Sequence, residues 1–136
     1  MSIIDRKQKM NISGGKSMAA FSVQIFATDL LDVYEHYKRA FNATLLFDGK
    51  ADDGTLIHLQ LDIMGASLGV APKRPDEITR GNTIQLCLPF SDEETLRNAY
   101  NVLEEGGDGE GLHSFPWSPL QGYVTDKFGV MWCIGL

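Results

Sequence analysis

Two cysteines, Cys87 and Cys133, are all that the chain carries in 136 residues. That number leaves no disulfide framework and suits reduced thiols in a reducing compartment. Positive charge is also short: 12 Lys and Arg stand against 18 Asp and Glu, a formal net charge of −6. A polyanion needs a basic face, so nucleic acid is not an expected partner, and an anionic membrane surface is disfavoured on the same ground. No apolar run approaches the roughly 20 residues that span a bilayer. The segment from Met1 to Met10 also lacks the continuous apolar core of a secretory signal. These absences lead to the expectation of a cytoplasmic protein. What is present is ordinary for one globular domain, 43% hydrophobic and 10% aromatic residues, enough for a single core.

Residues 1–17 are polar and basic and end in Asn11-Ile-Ser-Gly-Gly-Lys-Ser17. They read as a flexible leader, with a plausible natural start at Met18. Gly15-Lys16-Ser17 imitates the end of a phosphate-binding loop, but Met10 stands where that loop needs its first glycine. Residues 18–136 read as one domain of two modules, about 20–71 and 82–136. Phe21 to Ala27 is strand-like, and Asp29 caps a helix to about Phe41 with Val33, Tyr34, Tyr37 and Phe41 at helical spacing. The pattern restarts at Thr83-Ile-Gln-Leu-Cys-Leu88. Ser91 or Asp92 then caps a second helix through about Glu104, with Leu96, Ala99, Tyr100 and Leu103 on one face. A shift of 63 residues lays Asp29 on Asp92, Tyr37 on Tyr100 and Ser22 on Gln85, the mark of an internal repeat.

Short strands follow each helix. In the first module they are Thr44 to Phe47, Thr55 to Ile63 and Ala66 to Ala71; in the second, roughly His113 to Phe115, Leu120 to Thr125 and Val130 to Ile134. Gly106-Gly-Asp-Gly-Glu-Gly111 reads as a flexible acidic loop, and Pro72 to Gly81 as a surface crossing between modules. The fold class is therefore α+β, with each module β-α-β-β-β.

The most telling segment is Tyr123-Val-Thr-Asp-Lys-Phe-Gly-Val-Met-Trp-Cys-Ile-Gly135, which reads as strand, tight turn, strand. Its V-T-D-K-F-G-V-x-W core resembles the closing hairpin of the PhnB-like branch of the glyoxalase/bleomycin-resistance/dioxygenase superfamily, the vicinal oxygen chelate fold. Tyr37-Lys-Arg-Ala-Phe41, Ile57-His-Leu-Gln-Leu61 and Trp117 before a glycine-containing strand extend the resemblance over about residues 20–136. It implies a curved mixed sheet around a cavity, with helices outside, and a homodimer that pairs modules across subunits.

In metal-dependent members, each module offers a ligand position on its first strand and another on its last, and the four side chains hold a divalent ion. Carried over, those positions are Ser22, Gln85, Gly69 and Cys133. Glycine has no donor, serine and glutamine are weak ones, and the two-residue alternatives Gln24 and Cys87 add no His or carboxylate. The resemblance thus implies no metal and no cofactor. It implies instead a small organic ligand held in the inter-module cavity by His58, Gln85, Cys133 and Trp117. Two other readings remain: a divalent-metal lyase, isomerase or dioxygenase using His58, Gln85 and Cys133, and a drug-sequestering resistance protein with Trp117 and Phe115 in an aromatic groove. A methyltransferase is unsupported, since no glycine fingerprint for a methyl donor is present.

Among the remaining candidates, His36 is expected on the solvent side of its helix and His113 beside the glycine-rich loop. Asp48, Asp52 and Asp53 read as a solvated turn because their spacing does not match a calcium loop. Trp132 and Phe128 are expected in the core or at a dimer interface.

Overall fold

A computed structural model describes residues 21–136; the leader over 1–17 and the start at Met18 lie outside the described residues. In chain order the elements are β1 (Val23–Ala27), α1 (Leu30–Phe41), β2 (Thr44–Lys50), β3 (Leu56–Ile63), β4 (Ala66–Pro72), a 3-10 turn (Pro75–Glu77), β5 (Leu86–Pro89), α2 (Glu93–Glu104), β6 (Asp108–Phe115), β7 (Ser118–Thr125) and β8 (Met131–Gly135). The sequence repeat is literal at the helices: each is 12 residues long, and α2 is α1 displaced by 63 positions.

Both helices start on an aspartate cap. Asp29 accepts from the Asp32 amide at 3.1 Å and Asp92 from the Thr95 amide at 2.8 Å, satisfying donors that the first turn leaves free. Asn42 ends α1 in the left-handed region, with φ of 56°, a conformation asparagine tolerates better than most residues. The apolar stripes Val33, Tyr37, Ala40 and Phe41 on α1, and Leu96, Ala99, Tyr100 and Leu103 on α2, are buried. The helices pack on each other, α1 against β3 and β4, and α2 against β6, β7 and β8.

The strands form two four-stranded sheets, in orders β1-β4-β3-β2 and β5-β8-β7-β6. In each, the module's first strand runs parallel to its last, and the other pairs are antiparallel. Helices cover only one face of each sheet. Because side chains alternate along a strand, Leu59, Leu61 and Ile63 enter the core while His58, Gln60 and Asp62 point the other way; likewise Trp132 and Ile134 are buried and Cys133 is not.

The two modules are tied by the turn between β7 and β8. Asp126, 1% exposed, accepts from Tyr37 Oη on α1 at 2.5 Å and from Trp132 Nε1 at 2.9 Å. Its other oxygen accepts from the Phe128 and Val130 amides, both at 3.0 Å. The aspartate and tryptophan of the closing motif are thus one hydrogen-bonded unit; beside it Tyr37 meets Trp132 edge to face, and Phe41 lies tilted against both rings.

Three sequence expectations are corrected. The glycine run is no loop: β6 begins at Asp108 inside it. A side chain at Gly107 would strike the Thr125 carbonyl, and one at Gly109 the Tyr100 hydroxyl, so these glycines permit close approach of β6 to its neighbours. His36 is buried, 3% exposed, because Phe128 from the β7–β8 turn closes over it edge-on; a helical wheel of α1 alone contains nothing of that turn. The first strand of the second module starts at Leu86, so Gln85 precedes it. Trp132 is core, and Phe128 packs against the core half-buried.

Candidate functional site

Each sheet leaves one face open, and the predicted site residues divide between the two. On the first sheet, Gly49 lies opposite His58, and Gly69 lies between Gln24 and Gln60. Gly69 is therefore the centre of a small polar nest. A Cβ built there would lie 3.2 Å from His58 Cε1, 3.3 Å from Gln24 Oε1 and 3.4 Å from Gln60 Oε1. The His58 ring nitrogen Nε2 shares a hydrogen bond with Gln60 Oε1 at 2.8 Å, and Gln60 Nε2 donates to Ser67 Oγ at 2.6 Å. Phe47, exposed beside this nest, faces the His58 ring at 6.2 Å between centroids.

On the second sheet, Cys87, Cys133 and Tyr123 make one row across β5, β8 and β7. Burial and the neighbouring Cys87 raise the Cys133 thiol above its ordinary value, so it is held protonated near neutral pH. Tyr123 Oη accepts from Gln121 Nε2 at 2.9 Å, and Gln121 Oε1 accepts from Trp117 Nε1 at 3.2 Å. Trp117 stacks on Phe115 at 5.1 Å yet stays 69% exposed. Gln85 borders a cleft of about 370 Å³ with Asp108, Glu110, Tyr123 and Met131. His113 is exposed, its ring nitrogen bonded to the Glu110 carbonyl at 2.8 Å.

The second sheet thus gathers Gln85, Cys133 and Trp117 around Tyr123 and Gln121, while His58 stands on the first sheet with Gln24 and Gln60. Gln60, Gln121 and Tyr123 are not among the site residues predicted from sequence. Their signal was alternation: Gln60 sits two residues from His58, and Gln121 two residues from Tyr123 of the closing motif, each pair on one strand face.

The strand register also bears on metal chemistry. The residues directly opposite Gly69 and Cys133 are Gln24 and Cys87, whereas Ser22 and Gln85 fall just before their strands. Position 69 has no donor, and the space a side chain would enter there is lined by His58, Gln24 and Gln60. Among the described residues, no group of three or more His, Cys, Asp or Glu is arranged to hold an ion. Two thiols and neutral amides supply no carboxylate to a hard divalent ion.

No family model matches the chain, and no curated protein matches it. Solved structures do. A PhnB protein from Bacillus cereus, also described as a 3-demethylubiquinone-9 3-methyltransferase, is 20% identical with a TM-score of 0.72, over 85% of this chain and 98% of that one. TioX from Micromonospora sp. ML1 is 24% identical with a TM-score of 0.62, over 85% and 94%. The fosfomycin resistance protein FosX from Listeria monocytogenes, solved as a mutant with Mn(II) and 1S,2S-dihydroxypropylphosphonic acid, is 11% identical with a TM-score of 0.68, over 88% and 93%. Likeness at these identities establishes the architecture: two βαβββ modules of the glyoxalase-like fold. Among the described residues, no helix is long and apolar enough to cross a membrane.

Proposed function

We propose that this glyoxalase-fold chain binds a small organic ligand between open sheet faces, without a catalytic metal, as a homodimer. The observation that carries the reading is the pair of uncovered faces. Each couples hydrogen-bonding side chains (His58, Gln24 and Gln60; Gln85, Gln121 and Tyr123) to exposed aromatic surface, Phe47 at 58% and Trp117 at 69% exposure. Small-molecule sites combine such apolar walls with a few polar groups. In one chain the faces belong to separate sheets. A second copy, laying its second module over the first module of its partner, closes a cavity in which His58 joins Gln85, Cys133 and Trp117. The apolar residues Phe47, Ile84 and Trp117 are then covered rather than left to water.

The test is a fragment library screened by thermal shift, with the best fragment then titrated into the variants Gln85→Leu and Cys133→Phe. We expect binding to be lost in the variants while circular dichroism and oligomeric state stay unchanged. Undiminished binding overturns the site assignment. The rival reading is a divalent-metal enzyme using His58, Gln85 and Cys133, and the likeness to FosX with Mn(II) is what favours it. Metal content by mass spectrometry, on protein purified without tag or chelator, separates the two: about one ion per subunit, with loss of turnover on chelation, supports the enzyme.

A further inference from the structure

We propose that Cys87 and Cys133 form a dithiol site that captures a soft trivalent centre, such as the arsenic of an organoarsenical, between their two sulfurs. The two residues are direct partners in the parallel β5–β8 register, where neighbouring strands run about 4.8 Å apart. Both side chains leave the same face of the sheet, because Leu86 and Leu88 pack against the core, as do Trp132 and Ile134. Cys87 is exposed and Cys133 partly so, so a small reagent reaches both. They are also the chain's only cysteines, so no other thiol competes within the molecule. The pair lies within one sheet of one chain and depends neither on the proposed organic ligand nor on a second copy.

The chemistry follows from the neighbours. Soft sulfur donors select soft centres over hard ones. The raised Cys133 thiol is a weak nucleophile at neutral pH, which argues against a peroxide-reactive cysteine. Condensation with an arsine oxide suits a protonated pair. Each sulfur bonds to arsenic, the arsenic–oxygen bond breaks, and the oxygen leaves as one water carrying both thiol protons. Nothing is oxidised or reduced. The first As–S bond makes closure of the second intramolecular, and such pre-positioning raises apparent affinity by about 100-fold or more.

The reduced full chain is titrated with phenylarsine oxide and its remaining thiols are counted with a chromogenic disulfide. One equivalent should consume both thiols. The adduct should resist excess mercaptoethanol and be released by dimercaptopropanol. Cys87→Ala and Cys133→Ala should each hold the reagent about 100-fold more weakly while retaining the wild-type circular dichroism spectrum. Retention of wild-type affinity by either variant overturns the proposal. So does a free thiol remaining after one equivalent, a result read on the unmutated chain and so independent of any variant's folding.

Discussion

Asp126→Ala tests the link between the modules most directly. The carboxylate accepts from two buried side-chain donors, Tyr37 Oη and Trp132 Nε1, and from two backbone amides of its own turn. Tyr37 is 0% and Trp132 2% exposed, so after truncation water does not reach either donor without opening the core. A buried donor stranded in this way costs about 1–3 kcal/mol. The Phe128 and Val130 amides lie in a half-exposed turn, where water substitutes more readily. Two stranded donors therefore sum to about 4 kcal/mol, a large part of the roughly 5–15 kcal/mol that holds a domain together. With a urea m-value of about 2 kcal/mol per molar, the midpoint falls by about 2 M. Tyr37→Phe removes one donor and leaves the carboxylate its other partners, costing about 1–2 kcal/mol. In the Asp126→Ala background that second change should cost almost nothing, because the hydroxyl it removes is already stranded, giving a coupling of at least about 1 kcal/mol. The assay is urea unfolding followed by tryptophan fluorescence and circular dichroism. Loss below about 1 kcal/mol, the value of an exposed pair, or simple additivity of the two changes refutes the clamp.

Other outcomes follow from the same packing. Burial, and secondly the charge of Lys127, lower the pKa of His36, and its Nε2 has no hydrogen-bond partner. The unfolded imidazole takes its proton near 6.5 and the folded one only at lower pH. The His36 contribution is therefore intact above about 6.5 and is lost as pH falls through the folded value. The urea midpoint should drop between pH 7 and 5, and less so in His36→Leu; equal slopes remove His36 as the cause. Gly107→Ala forces a Cβ against the Thr125 carbonyl and should cost about 1–3 kcal/mol, as overpacking does. Gly81→Ala meets open space and should stay within about 0.5 kcal/mol; thermal unfolding of both variants compares them, and similar melting temperatures would refute the close-approach argument.

Local signals made much of the architecture legible. The capping aspartates and the buried helix stripes, read at 3.6-residue spacing, predict helix ends that the structure reproduces, and the 63-residue shift predicts the second helix from the first. What stayed hidden depends on contacts between separate elements. His36 looks solvent-facing on its own helix, and Phe128, more than ninety positions later in the sequence, closes over it. The Gly106–Gly111 run has the composition of a linker, yet part of it is a strand, and the missing side chains of Gly107 and Gly109 make room for Thr125 and Tyr100. For the site, alternation gives the strand face but not the cross-strand register. The pairings of Gln24 with Gly69 and Cys87 with Cys133 therefore emerge only once the strands are laid side by side.

The reach of the Asp126 clamp has a consequence for how the chain is made. Tyr37 and Asp126 are 89 residues apart. At about 5–20 residues per second, a ribosome needs roughly 4–18 s to supply the second after the first. During that interval α1 exists without its acceptor, without Trp132 and without the Phe128 cover over His36. The part of its apolar stripe that only the second module covers is then a surface open to a chaperone or a second nascent chain. Slowed synthesis of the second module would lengthen that exposure without altering a single contact in the finished molecule.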